Sequence, residues 1–282
     1  MEFQWYPGHM KKAINTMQAD IKLIDVIVEL IDARVPFSSK NPDIEKLSPG
    51  KSRIIIFNKS DLADEKVSAL WKKYYEDKGY YVKELNSKSG KGIKDVLNLI
   101  NEACSEKLLR NKKRGIKNRP LRALVAGIPN VGKSTFINTL TRTSKAKTGN
   151  KPGVTKGKQW ISLGKNIELL DTPGVLWPKF EDMEVGKKLA FIGSIKDELF
   201  NVYELCVLLV DYLKENYSDV VPEKYGIDES TDSHKIIENF AINRGLKMKG
   251  DTPDVDKAAV ILVDEFRKGK MGKISLEKPS VE

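Results

Sequence analysis

The sequence predicts an α/β fold followed by an all-helical second half. Short apolar runs alternate with amphipathic stretches up to about residue 170, and from Pro178 onward only helical periodicity remains. Two loop motifs, each closing an apolar run, divide the work of one nucleotide site: Asn58-Lys59-Ser60-Asp61 and Gly127-Ile128-Pro129-Asn130-Val131-Gly132-Lys133-Ser134. Their order is inverted. In an ordinary GTPase the phosphate loop opens the domain and the base-reading NKxD follows, whereas here the base-reading half runs first. Both halves are complete. The predicted class is therefore α/β, a circularly permuted P-loop GTPase domain over residues 1–177, its N-terminal segment included, with a C-terminal all-helical domain over 178–282.

Taken in order, residues 9–23 place Ile14, Met17 and Ile21 on one helical face and Lys11, Lys12 and Lys22 on the other. Ile24 to Ile31 is a continuous apolar run of the kind a buried parallel strand needs, ending at Asp32-Ala33-Arg34. Residues 52–57 form the next strand and deliver Asn58 to its carboxyl end. A helix over 64–77 and a strand over 80–85 follow, the strand closing on Asn86-Ser87-Lys88-Ser89-Gly90. The helix from Ile93 to Leu108 carries Val96, Leu97, Ile100 and Cys104 at core spacing. Residues 107–122 are rich in Lys and Arg with no acid, and read as a solvent-facing connection replacing the usual chain ends. The strand 121–126 feeds the phosphate loop, and its helix starts at Lys133. Two strands, 158–163 and 166–170, make a hairpin about Gly164-Lys165 and end at Asp171-Thr172-Pro173-Gly174. Helices over 185–192, 199–213, 234–243 and 255–266 complete the chain, with a basic tail at 267–273.

Composition narrows the class. With 40% apolar residues over 282 positions the chain supports a substantial core, and a net charge of +10 favours polyanionic partners. Cys104 and Cys206 sit in apolar helical contexts and read as buried thiols, not a disulfide framework. No signal-peptide pattern opens the sequence, and no apolar stretch is long enough for a membrane span, so a cytoplasmic location is expected.

The motifs carry specific chemistry. Gly127 and Gly132 let the backbone of Asn130, Val131 and Gly132 wrap phosphate oxygens, with Lys133 reaching the β and γ phosphates. Ser134 ligates magnesium, Thr135 stands beside it, and the helix N-terminus adds its positive end. The Asp61 carboxylate can accept from the two donor nitrogens on one edge of guanine, a pair adenine lacks. Asn58 supplements this near N7 and O6, the Lys59 stem packs along the ring, and Ser87-Lys88 offers a backbone amide to O6. GTP is therefore the expected ligand. Asp171 would act on magnesium through water and Gly174 would sense the γ phosphate; Thr155 is the candidate for the switch threonine that closes over magnesium, the other reading being an ordinary loop hydroxyl.

WYPGHM near the start, DARVP, NKSD, the phosphate loop, PGVTKG, DTPGVLWP and a helical C-terminal region together resemble the circularly permuted GTPases that assist ribosome assembly, in particular the bacterial ribosome biogenesis GTPase A family. The resemblance spans nearly the whole chain. It implies late maturation of the large ribosomal subunit, with rRNA as partner. Such GTPases carry an apolar residue where others place a water-orienting glutamine, here Val175. The resemblance suggests His9 instead, while the residues alone leave His9 open between a catalytic imidazole and an exposed cap. In similar GTPases the position of Asn130 contributes to a potassium site, so Mg2+ and K+ are the implied cofactors. Catalysis is thus assigned to His9, Lys133 and Thr155.

Residues 141–165 hold Arg142, Lys145, Lys147, Lys151, Lys156, Lys158 and Lys165 with no acid, placing an RNA-attractive surface beside the switch. His234, Lys235, Arg244, Lys247 and Lys249 are the candidate contact face of the helical part. The expected activity is slow GTP hydrolysis stimulated by the ribosomal particle, with no oligomer. The alternatives are a GTP-binding interaction protein without turnover and a GTPase of tRNA modification.

Overall fold

The computed structural model describes residues 8–116, 119–143, 159–177 and 182–279, with side chains from residue 14 except those of 143 and 159. Its centre is a six-stranded sheet in the order β3-β2-β1-β4-β6-β5. The strands are β1 (Val26–Asp32), β2 (Ser52–Asn58), β3 (Tyr81–Glu84), β4 (Leu121–Gly127), β5 (Gln159–Leu163) and β6 (Ile167–Asp171). All pairings are parallel except β5 with β6, which form the expected hairpin. From β1 the sequence steps outward through β2 to β3, and from β4 it steps the other way to β6. The order therefore reverses between β1 and β4, and a crevice at the carboxyl ends of strands at such a switch point is where ligands bind in open α/β sheets.

β1 is buried at every position, as a central parallel strand with both faces covered must be. Alternate residues serve different layers. Val26, Val28 and Leu30 join the large core that continues into the helical half, Ile31 packs with Phe57 and Trp71, and Ile27 packs with Ile44 and Leu124. Glu29 lies fully buried within β1, met by Arg53 Nη2 at 2.6 Å and the Asn41 N–H at 2.9 Å. Burial raises its pKa against the pull of Arg53.

The helices of the first part are α1 (Gly8–Asp20), α2 (Pro42–Leu47), α3 (Glu65–Asp77), α4 (Ile93–Ala103), α5 (Ser105–Lys113) and α6 (Lys133–Thr143). α2 was absent from the sequence reading; the Asn41 side chain caps it by accepting from Asp43 N–H, with Pro42 at the first position. The helix expected over 93–108 is interrupted at Cys104 (φ −106, ψ 9) and resumes as α5, so the basic connection begins as helix. Both cysteines are free and buried.

The second half holds α7 (Met183–Phe191), α8 (Val202–Tyr217), α9 (Ser233–Asn243) and α10 (Val255–Arg267). Asp182, Asn201, Asp232 and Asp254 cap them in turn through their side chains, each cap contributing about 1 kcal/mol. The expected boundary at residue 178 falls among 178–181, outside the described residues. One apolar core runs from the sheet into these helices.

The basic run expected at 267–273 carries acid partners in the structure. Arg267, Lys268, Lys270 and Lys273 each meet an acid, at Asp197, Asp264, Glu265 and Glu65. The chain then returns to the first half: Ile274 N–H donates to Leu62 O at 3.0 Å and Leu276 N–H to Arg34 O at 2.8 Å. Glu277 accepts from Ser38 N–H at 2.9 Å, and its carbonyl accepts from Trp71 Nε1 at 3.0 Å. Acids four or more residues away in sequence supply the partners, while the Lys268, Lys270 and Lys273 side chains stay exposed.

Candidate functional site

The phosphate loop leaves β4 at Gly127, whose φ of 153° and close packing exclude a side chain: a Cβ there would sit 2.6 Å from Leu30 O. Gly132 is held in the same way (φ 98), where a Cβ would lie 2.4 Å from Asn58 Nδ2. That contact brings the two motifs together. Asn58 is buried at the end of β2, its Nδ2 donates to Val131 O at 2.7 Å, and its Oδ1 accepts from Ser87 N–H at 3.1 Å. Thr139 of α6 donates to Ser87 O at 2.9 Å. One side chain therefore clamps the base-reading loop, the following loop and the phosphate loop, a bracing role that sequence reasoning assigned only to base contact.

Lys59 takes the left-handed conformation (φ 58), and its Nζ pairs with Asp32 Oδ2 at 2.9 Å. Asp32 also takes both ends of the Arg34 guanidinium, at 2.9 and 2.8 Å. Burial alone would raise the Asp32 carboxyl, yet the Arg34 and Lys59 charges hold it well below the usual carboxylate range. The DAR sequence thus fixes the NKSD loop from below. Asp61 stands exposed in the short 3₁₀ turn Ser60–Leu62. Lys88 is exposed too, its N–H held by Asn86 Oδ1 at 2.9 Å.

On the phosphate side an open cleft of about 480 Å³ is lined by Asn130, Lys133, Ser134 and Thr135 across from Pro173-Gly174. Lys133 is buried, and desolvation lowers its pKa against the opposing pull of Asp171. A cation held in that state is ready for an anionic ligand. Ser134 and Thr135 are exposed at the start of α6, and Asp171 is buried at the end of β6. These hard oxygens beside a glycine-walled cradle suit a magnesium-bound triphosphate. Gly174 packs directly on Pro129, where a Cβ would come within 3.1 Å of its backbone.

Val175 is fully buried, its N–H donating to Gly127 O at 3.3 Å and its carbonyl accepting from Asn41 Nδ2 at 3.1 Å. An apolar side chain turned into the core cannot orient water. Asn41 was missed by sequence reasoning: the Asn-Pro-Asp run signals a helix cap but not the amide's other partner. Asn130 (φ 58) donates from Nδ2 to Gly193 O at 2.7 Å, a contact with the helical half no motif foretold. Thr155 lies outside the described residues, and His9 falls in the first turn of α1 with its side chain outside them. Lys145, Lys147, Lys151, Lys156 and Lys158 also lie outside them; Arg142 and Lys165 are exposed.

In the helical half, Lys235, Arg244 and Lys247 pair with Glu238, Glu265 and Asp251, so the face named from sequence is charge-balanced at those positions. His234 Nδ1 meets Tyr203 OH at 2.8 Å. Among the described residues no cluster of three or more His, Cys, Asp or Glu could hold a metal ion, and no helix is long and apolar enough to cross a membrane.

A family model described as 50S ribosome-binding GTPase matches residues 122–243. Ribosome biogenesis GTPase A of Bacillus licheniformis is 43% identical over 280 residues, covering 99% of each chain. The chain belongs to the ribosome biogenesis GTPase A family. It is a GTP-binding GTPase with that family's permuted fold. Ribosome biogenesis GTPase A of Thermotoga maritima is 32% identical over 275 residues, 98% of this chain and 94% of that one. Among solved structures, that of GNP-bound YlqF from T. maritima superposes with a TM-score of 0.68 at 29% identity, covering 96% of this chain and all of that one.

Proposed function

We propose that this chain is a GTP-hydrolysing assembly factor of the large ribosomal subunit, docking on precursor particles in its GTP form and leaving after hydrolysis. The observation that carries the reading is the Asn58 clamp, which makes base-reading and phosphate-binding loops one site. The names of the relatives and the family model's description support the ribosomal partner. The net charge of +10 supports attachment to rRNA.

In this reading Asp61, with its exposed carboxylate, accepts from the two donor nitrogens of guanine, and the second hydrogen of Asn58 Nδ2 reaches the N7 and O6 side. The Lys59 stem flanks the ring, and the Ser87-Lys88 backbone meets O6. Lys133 and the amides from Asn130 to Gly132 hold the β and γ phosphates. Ser134, Asp171 and Thr155 would hold Mg2+, and Asn130 Oδ1 would contribute to a K+ site. Bound there, these ions would neutralise charge developing between the β and γ phosphates. Val175 leaves water unoriented, so His9 is assigned to align it. Gly174 and Thr155 sense the γ phosphate, and their order in the GTP form favours docking. The cytoplasm is the assigned site of action.

The deciding experiment measures GTP hydrolysis in potassium with and without purified large subunits, for the intact protein and His9→Ala. Stimulation by particles, lost in His9→Ala while GTP-dependent co-sedimentation survives, is the expected result. Equal rates with and without particles, or co-sedimentation with tRNA instead, would refute the proposal.

A further inference from the structure

The tip of the phosphate loop is gripped from the helical half. Asn130 Nδ2 donates to Gly193 O at 2.7 Å, and Ser194 Oγ donates to Pro129 O at 3.0 Å. Both partners lie in the turn that ends α7. Gly193 N–H donates to Ala190 O at 3.0 Å and Ser194 N–H to Leu189 O at 2.9 Å, with Gly193 left-handed (φ 73), the paired bonds of a Schellman close. Arg267 at the end of α10 then fixes the turn. Its Nη2 donates to Ala190 O at 2.7 Å and its Nε to Phe191 O at 3.0 Å, while Asp197 takes the guanidinium at 2.7 and 2.8 Å. The Arg267 carbonyl accepts from Arg34 Nη1 at 3.4 Å, and Arg34 holds the Asp32 that holds Lys59. A single residue of the helical half is thereby tied to both the base-side and the phosphate-side loops.

We propose that the Gly193–Ser194 turn is a positioning element for the phosphate loop, through which the helical half sets the hydrolytic competence of Asn130. The terminal torsion of an asparagine amide is broad when free. Donation from Nδ2 to Gly193 O fixes that torsion and so fixes where Oδ1 stands. Ser194 anchors the preceding carbonyl, so the peptide entering Asn130 cannot swing away. The proposal rests on the reading above in which Asn130 Oδ1 contributes to a potassium site. Ser194 and Arg267 act through Asn130 and Pro129. A particle engaging the helical half would then change turnover by moving one turn.

The test uses the full chain with Ser194→Ala and Arg267→Lys, reading steady-state GTP hydrolysis across a potassium titration and in sodium. Affinity for a fluorescent GDP and the thermal midpoint are measured alongside. Expected for Ser194→Ala is a kcat in potassium lower by about fivefold to tenfold, the effect of one hydrogen bond on positioning. The potassium concentration for half-maximal activity rises, while GDP affinity and thermal midpoint are retained. Arg267→Lys, which keeps the charge for Asp197 but loses donors to Ala190 and Phe191, shifts the potassium response the same way. Wild-type kcat and potassium response in Ser194→Ala overturn the proposal, as does a fall in kcat matched by equal losses of GDP affinity and stability. Equal wild-type rates in potassium and sodium would instead sink the potassium reading, and the Ser194→Ala kcat then judges the turn alone.

Discussion

Replacing Asn58 by Ala removes the side chain that joins the two halves of the site. The amide is 2% exposed and makes two bonds, 2.7 Å to Val131 O and 3.1 Å from Ser87 N–H. Losing it leaves a buried carbonyl and a buried N–H without their partner, each worth about 1–3 kcal/mol. The loops border an open cleft, so water recovers part of this, and about 2–4 kcal/mol remains as lost organisation. If that organisation is restored by ligand, nucleotide affinity falls by about 30- to 700-fold. The informative assay compares GDP, GTP and inorganic tripolyphosphate by titration calorimetry. A bracing role weakens all three, since Val131 belongs to the phosphate loop; a role confined to the base leaves tripolyphosphate untouched. Asn58→Asp sharpens the test, because it keeps an acceptor for Ser87 N–H but sets a carboxylate oxygen against Val131 O. Tripolyphosphate binding unchanged in both variants would refute the clamp.

Asp61→Asn exchanges an acceptor for a donor, and preference is expected to move from GTP to XTP, whose C2 carbonyl accepts; competition titrations check it. Lys133 has a pKa lowered by burial, so in the free protein the unfolded state binds more protons in the window between the folded and unfolded pKa values. Stability of the free protein therefore rises with pH through that window, while GTP affinity falls by about tenfold per pH unit above the lowered pKa, seen in affinity measured from neutral to alkaline pH. Arg34→Ala leaves buried Asp32 with Lys59 alone and is expected to cost about 3–5 kcal/mol in urea unfolding. Because the folded pKa of Asp32 is depressed, its stabilisation is present above its unfolded value, near 4, and is lost as pH falls below it. The acid limb of the stability profile flattens in Arg34→Ala.

The strands and the site loops were readable because their physics is local. An all-apolar run such as Val26 to Ile31 can be buried only on two faces, and Gly127 and Gly132 answer backbone conformations and close contacts that other residues cannot occupy. What escaped was long-range and carried by ordinary residue types. The Asn41 bond to Val175 joins positions 134 residues apart, and the Glu277 contacts with Ser38 span 239. The acid partners of the basic run at 267–273 were hidden because two of them, Asp197 and Glu65, are distant in sequence. The break at Cys104 was hidden because core spacing continues across it: Ile100 and Cys104 are buried in one core, and Leu108 packs against it.

These escaped contacts share a location that follows from the permutation. The inverted chain order leaves DTPG near the end of the sheet-forming half, and among the described residues every regular element after β6 is helical. The helical half is thus attached in sequence to the segment that faces the phosphate loop. Val175 is pinned by Gly127 and Asn41 at that exit, and the Gly193–Ser194 turn grips the opposite tip at Pro129 and Asn130. The returning chain at 274–276 binds Leu62 and Arg34 beside the base-reading loop. The second half therefore meets the nucleotide site at two separated places, one on the phosphate side and one on the base side. A rigid body tied in this way cannot move relative to the sheet without disturbing at least one of those loops. Moving the chain ends preserves the strand neighbours needed for nucleotide binding and places the added helices where the geometry of the loops can act on them.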